Sequence, residues 1–358
     1  MPQTIVILSC PQDLHAHAMC VALERKGARP RLLYTPDFPE RLGLTIAVDE
    51  KGAVLSSHAE VREEFGAECR SVWYRRPFFG KVPKDFDEAD RLVVERESRD
   101  LRLSFFDLLC PTALWVNPLD SVLREHCKPT QLVIAQKCGF LAPPTLASND
   151  PDEIVAFAER FEGRVVYKSF NALVPTSVLG ANMLSDREAL RWTPGIYQPL
   201  IEKAYEIRVT IVGRRIFATR INSQETDRGK VDWREAQWQM PGQRSDLTFG
   251  RCKLPDSIRR SCLRLMKALG LVYGALDLIV TPDGQYLFLE INPSGQFLWV
   301  DHEVGYPLLD AMAEMLIQGR CDYAWSPRTA QVHFDSELLK VAEERERQSR
   351  VLHVSELR

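Results

Sequence analysis

The sequence predicts a mixed α/β and α+β protein of more than one domain, and three stretches carry that reading. At the N-terminus, "TIVILS", "DLHAHAMCVALERKGA" and "RPRLLYT" run strand, helix, strand, the spacing of a βαβ unit in an open α/β sheet. In the middle, "GIYQPLIEKAYEIRVTIVGRRIFATRINS" supplies further strands. Near residue 280, "GALDLIVTPDGQYLFLEINPSG" reads as two strands joined by a tight turn. A length of 358 residues is enough for two or three domains.

The first strand is short and apolar, a buried type. Asp13 is the expected N-cap of the helix after it and Gly27 its stop. The turn between them, "SCPQD", has no glycine, which argues against a dinucleotide fingerprint there. "LTIAVDEKGAVLS" predicts a hairpin around Glu50-Lys51-Gly52, and "RSVWYRRPF" a strand closed by Pro77. Residues 88–110 form a long amphipathic helix, and the first boundary is expected near Asn117-Pro118. A helix then runs from Thr130 to Cys138, stopped by Gly139. Asp150 before Pro151 predicts a capped helix over 151–162. "RVVYKSF" is a strand, "DSIRRSCLRLMKALG" and "YPLLDAMAEMLIQG" are helices, and the charged tail from 337 is a solvated helix.

Composition excludes several function classes. Hydrophobic residues at 45% and charged residues at 27% place the chain among soluble globular proteins. A formal charge of −3 offers no basic field for nucleic acid. No apolar stretch approaches the ~18–20 residues that span a bilayer. The N-terminus has a short apolar stretch and no basic flank, so no signal peptide is expected. Nine scattered cysteines without a C-x-x-C pair fit reduced thiols of a cytoplasmic protein. His15 and His17 read as incidental rather than as metal ligands.

The hairpin holds the chemistry. With Asp283-Gly284 as a two-residue turn, Asp277 faces Glu290 across the ladder. Like charges directly opposite destabilise a sheet. One face then carries Leu276, Leu278, Val280, Leu287, Leu289 and Ile291 and should be buried; the other carries Asp277, Ile279, Phe288, Glu290 and Asn292. Asp277, Glu290 and Asn292 thus converge at one end, and hard oxygen donors in such a cluster suit Mg²⁺, which takes its remaining ligands from water and substrate phosphates. A solvated outer face is the plainer alternative.

Cationic side chains complement the acids. Lys168 sits mid-strand among residues that should be buried, where a phosphate is one partner and snorkelling to solvent the other reading. Lys128 stands at a helix start, where an anion is favoured, or is a surface lysine. Glu206 and Arg208 share one strand face, so Arg208 either forks to a phosphate or pairs with Glu206. Arg234 in "VDWRE" either stabilises a transferring phosphoryl group or stacks on Trp233. These are the parts of a Mg²⁺–nucleotide site in a chain with no G-x-x-x-x-G-K-[ST] stretch.

In order, "KPTQLVIAQKCGFLAPPT", "VVYKSF", "YQPLIEKAYEIRVTIVG" and "GALDLIVTPDGQYLFLEINPSG" resemble the nucleotide and metal segments of the ATP-grasp superfamily, over about residues 120–320. "SVWYRRP", "VDWRE" and "LEINPSGQFLWVD" are similar to the ribosomal peptide maturases within it, the microviridin-type or graspetide synthetases. The resemblance implies an ATP-grasp fold with an N-terminal preATP-grasp α/β domain at 1–118, a central lid domain at 119–203 and a C-terminal domain with the metal site at 204–330, then a charged helical tail at 331–358. It implies ATP and Mg²⁺ as cofactors. Lys128 and Lys168 would hold phosphates, Gln198, Pro199, Leu200 and Ile201 would read adenine, and Glu206 would take the ribose. Arg208 and Arg234 would be catalytic, facing the γ-phosphate and acyl phosphate, and Asp277, Glu290 and Asn292 would bind the metal. Arg75, Arg76 and Arg220 are candidates for binding the substrate, although Arg75 and Arg76 read equally well as a surface pair.

The implied reaction joins a side-chain carboxylate of a ribosomally made precursor peptide, carrying a leader segment, to a hydroxyl or amine of the same peptide through an acyl phosphate. The alternatives are a ligase adding a free amino acid, as the superfamily's glutamate ligases do, and a non-catalytic ATP-binding module. The partners expected are this peptide, no nucleic acid and no membrane, with a homodimer left open. One departure stands out: many superfamily members cover the phosphates with a glycine-rich loop, whereas here "SFNALVPTSVLGANM" has one glycine.

Overall fold

The computed structural model describes the chain except residues 1, 60–61, 67, 79, 81, 83–84, 126, 172–173, 228, 238–246 and 354–358, together with the side chains of 123–125 and 353. Part of the loop after Lys168 (172–173) and the end of the charged tail therefore lie outside the described residues. The chain divides into two compact units: residues 1–120, 212–214 and 296–358, and residues 121–211 and 215–295.

The first unit contains a four-stranded parallel sheet in the spatial order Arg29–Tyr34, Thr4–Ser9, Cys69–Tyr74, Leu114–Val116. The expected βαβ unit opens it. Asp13 caps the Leu14–Arg25 helix by accepting from the His15 backbone N–H at 3.2 Å. Thr4–Ser9 is buried along its whole length, as parallel strands are. The strands Gly43–Asp49, Gly52–His58 and Arg62–Phe65 make a separate antiparallel meander, with Glu50 and Lys51 at its first turn. The Glu88–Leu108 helix packs only its C-terminal half: Arg102, Phe105 and Phe106 are its buried residues.

The second unit has two sheets. The smaller, in the order Ser177–Val178, Val165–Lys168, Gly195–Pro199, Leu146–Ser148, is antiparallel. It packs Val165, Leu179 and Tyr197 on Ile154 and Ala158 of the Pro151–Arg160 helix. Asp150 caps that helix as its sequence predicts. The larger sheet runs Phe249–Arg251, Arg215–Ile221, Tyr205–Val212, Tyr273–Val280, Tyr286–Asn292. Its core face packs on the Asp256–Leu269 helix through Cys262, Leu265, Met266 and Leu269.

The metal-site hairpin keeps its key pair by a route the sequence reading did not anticipate. Asp277 is opposite Glu290, as expected. The turn, however, is a three-residue loop: Thr281 N–H donates to Gln285 O at 3.0 Å, and Gly284 takes φ +83°. That shifts the register beside the turn by one residue, pairing Leu278 with Phe288. A β-bulge at Leu289 then restores it before Glu290. The bulge corrects the expected faces: Phe288 is fully buried in the core with Leu276 and Leu278, and Leu289 moves to the acidic side. Lys168 is also corrected, being the last residue of its strand rather than a mid-strand residue.

Candidate active site

A cavity of about 370 Å³ takes its walls from both sheets of the second unit. Val166, Lys168, Gln198 and Pro199 come from the smaller sheet; Glu206, Asp277, Ile279, Leu289 and Glu290 come from the larger. Lys128 enters as the first residue of the Lys128–Lys137 helix, Arg234 comes from the short Trp233–Gln237 helix, and Leu200 and Ile201 come from a connecting segment. The phosphate, adenine, ribose and metal candidates of the sequence thus meet in one place, with the exceptions of Asn292 and Arg208.

Each carboxylate of the opposed pair has cations of its own. Arg208 grips Asp277 with two donors, Nε to Oδ1 at 2.8 Å and Nη2 to Oδ2 at 3.3 Å. Lys128 Nζ lies 3.3 Å from Glu290 Oε2, and Arg234 Nη1 lies 3.7 Å from Glu290 Oε1. Burial raises the Asp277 carboxyl above the usual aspartate range; Arg208 opposes this and Glu290 adds to it. Burial also works to raise Glu290, but Lys128, Arg234 and Lys168 outweigh it and hold the group below the usual glutamate range. The two acids are therefore unequal: Glu290 is the firmly ionised member.

The Lys168 ammonium has no hydrogen bond or ion pair among the described residues. Burial depresses its pKa below the usual lysine range, against the pull of Glu290 and with that of Arg234 and Lys128. An ammonium desolvated in this way, facing a cavity, fits an anion. Lys128 also donates to Ser169 O at 3.2 Å, which ties the helix start to the chain just past Lys168. Buried Gln198, also in the cavity wall, donates through Nε2 to Thr145 Oγ1 at 2.9 Å. The wall also carries apolar Pro143, Val166, Leu200 and Ile201, side chains that suit a flat heterocycle.

Some partner choices differ from the sequence reading. Arg208 pairs with Asp277, not with Glu206, and stands 5.5 Å from the centroid of the Trp233 ring. Glu206 instead accepts from Lys203 Nζ at 2.7 Å; burial still keeps its carboxyl above the usual range. Asn292 is exposed, does not line the cavity, and accepts from Ser294 N–H at 2.8 Å. Arg220 is exposed, bonds Asn222 at 2.7 Å and lies 3.9 Å over the Tyr205 ring. In the first unit Arg75 is buried, not superficial, with Nε donating to Asp13 Oδ2 at 3.1 Å. Arg76 is exposed beside the Phe78 ring. Neither histidine is placed as a metal ligand: His15 Nε2 accepts from the Phe297 and Leu298 N–H groups, and burial depresses its pKa to about 3, while His17 Nε2 contacts Pro11 O at 3.0 Å.

Among the charged lining residues, sequence reasoning passed over Lys203, Asp232 and Glu235. Each lies within three positions of a residue it did single out, Glu206 or Arg234, and that proximity was the available signal. Among the described residues no three His, Cys, Asp or Glu side chains gather into a metal cage. Two carboxylates are still the number Mg²⁺ commonly takes from a protein when phosphates complete its shell. The donor set accordingly fits Mg²⁺ together with a nucleotide.

Comparison with known proteins places this arrangement. Residues 4–123 match the model of the MvdD pre-ATP grasp domain. The structure superposes on the macrocyclase MdnC of Microcystis aeruginosa MRC, solved bound to its precursor peptide MdnA, with TM-score 0.74 and 33% identity over 88% of this chain and 99% of that one. A Chryseobacterium gregarium RiPP-associated ATP-grasp ligase, in complex with ADP and a leader and core peptide, matches at TM-score 0.75 and 24% identity over 93% and 100% of the two chains. The tetrahydromethanopterin:alpha-L-glutamate ligase of Methanocaldococcus jannaschii is 21% identical over 57% of this chain and 70% of its own length. At 33% identity to MdnC over nearly that whole chain, the protein belongs to the ATP-grasp ligases of ribosomal peptide maturation, and it is an enzyme.

Proposed function

We propose that this ligase forms ω-ester or ω-amide crosslinks between side chains of a ribosomally made precursor peptide, driven by ATP. The observation that carries the reading is the convergence of Lys128, Lys168 and Arg234 with Asp277 and Glu290 in one cavity. ATP with Mg²⁺ supplies the phosphoryl group that activates a peptide carboxylate. Lys128 and Lys168 hold the phosphates, and Asp277 and Glu290 hold the metal. Gln198 to Ile201 receive the adenine, and Glu206 takes the ribose.

Arg234 stabilises charge on the transferring group. Two of its nitrogens bond Asp232, and its Nη1 is directed toward Glu290 with no hydrogen bond among the described residues. Arg208 acts through Asp277, holding that carboxylate at the metal position. The protein positions groups and offsets charge, which is what phosphoryl transfer chiefly demands. Attack by a Ser or Thr hydroxyl or a Lys amine of the same peptide expels phosphate, so each bond removes one water and releases ADP. The leader-bearing peptide is the substrate partner, and a homodimer is compatible with this reading. The 1–118, 119–203, 204–330 and 331–358 division remains our proposed domain organisation.

The test is direct. Purified protein, Mg²⁺, ATP and the precursor encoded beside its gene should give stepwise loss of one water per bond by mass spectrometry, with ADP formed. Addition of a free amino acid, the chemistry named for the M. jannaschii relative, would replace this reading with that of an amino-acid ligase.

A further inference from the structure

Asp232 is among the most enclosed charges of the cavity wall, 5% exposed, and the mechanism above gives it no role. Its two oxygens are both engaged. Oδ1 accepts from Arg234 Nε at 2.9 Å and from the Arg234 backbone N–H at 3.1 Å. Oδ2 accepts from Arg234 Nη2 at 2.7 Å and from the Thr176 backbone N–H at 3.4 Å. One carboxylate thus grips a guanidinium in the planar two-point geometry that fixes its orientation. It also joins the 231–235 segment to the loop that follows the Val165–Lys168 strand. The segment is held a second time where Lys203 Nζ donates to Val231 O at 3.0 Å.

The pairing costs the cavity one positive charge, so its value cannot lie in the field. It lies in aim. An arginine side chain has several soft torsions, and a 38% exposed one beside open space would sample many directions. Gripped at Nε and Nη2, Arg234 turns its remaining donors toward Glu290 and the cavity. We propose that Asp232 is a positioning residue: it holds Arg234 in the orientation that meets the transferring phosphoryl group, and it makes that orientation depend on the Thr176 loop being in place. This rests on the role given to Arg234 under the proposed function. The competing explanation is that Asp232 only caps the short Trp233–Gln237 helix.

A double-mutant cycle on the full chain separates the two, with precursor dehydration giving kcat and KM and calorimetry giving ADP affinity. Asp232→Asn keeps a cap acceptor but loses one arm of the grip. It should lower kcat about 10–100-fold, the usual cost of a lost supporting contact, with ADP affinity changed less than roughly threefold. Asp232→Glu, which keeps the charge, should recover part of that loss. In an Arg234→Ala background, adding Asp232→Asn should have no further effect on kcat, because the two residues act as one unit. Full activity of Asp232→Asn, additive losses in the double variant, or failure of both Asp232 variants to fold would each assign Asp232 a structural role and overturn the inference. If Arg234→Ala alone retains wild-type kcat, the Arg234 assignment itself falls, and the inference with it.

Discussion

At the residue scale, the site is a set of charges that stabilise one another before any ligand arrives. Asp277 and Glu290 stand opposite each other, yet each is matched by cations brought from elsewhere in the fold. With those cations in place, removing one acid does more than relieve repulsion between the pair. Asp277→Asn removes the charge that compensates a buried arginine. Leaving a buried charge without its partner costs about 3–5 kcal/mol, and less where a hydrogen bond survives, as it can with Asn. The expected outcome is loss of dehydration activity with a lower urea midpoint. An inactive variant of unchanged stability would mean that the Arg208 grip contributes nothing to the fold.

At the element scale, the hairpin shows how backbone conformation places chemistry. The three-residue loop needs a left-handed residue, and Gly284 meets that need at φ +83° with open space where a Cβ would stand. Gly284→Ala should therefore cost about 1 kcal/mol through backbone strain alone, leaving kcat unchanged. A fall in kcat would show that the loop sets the Asp277–Glu290 register. In the first unit, the Leu298–Val304 and Leu308–Gln318 helices are joined through Asp301, whose Oδ2 accepts from Leu309 N–H at 2.8 Å. Burial raises this carboxyl to about 7, against backbone donors from Leu309, Phe334 and Leu308. The folded chain thus keeps a proton that the unfolded chain releases near the ordinary aspartate pKa. The resulting stability is complete below that value and is lost as pH rises through about 7. Thermal midpoints between pH 5 and 8.5 should fall with rising pH, and Asp301→Asn should flatten the slope. Equal slopes in the two proteins would refute the assignment.

At the scale of the whole molecule, a ligand that binds only the folded chain adds stability by mass action. ADP with Mg²⁺ at a hundred times its dissociation constant should add about 2.7 kcal/mol, seen as a raised thermal midpoint. Lys168→Ala removes a charge-assisted phosphate contact of about 1.5–3 kcal/mol, so ADP affinity should fall by roughly one to two decades. The midpoint shift at a fixed ADP concentration should shrink with it. An undiminished shift would make Lys168 a structural lysine. Among the described residues no helix is long and apolar enough to cross a membrane.

Much of this was legible in sequence because it is local. The two strands and their turn region showed in the hairpin, capping residues marked the Leu14–Arg25 and Pro151–Arg160 helices, and the order of basic, hinge and acidic segments carried the family resemblance. Asp277 meets Glu290 as expected only because the longer loop and the bulge offset each other. What only the tertiary structure decided is which charge meets which. Arg208 finds Asp277 from 69 residues away because their strands are neighbours in the larger sheet, and Arg75 is buried on Asp13 across 62 residues because theirs is a parallel βαβ sheet. The bulge at Leu289 belongs to the same class. Periodicity is read one residue at a time, and a single unpaired residue that sends Phe288 to the core and Leu289 to the cavity leaves no mark on it until the partner strand is present.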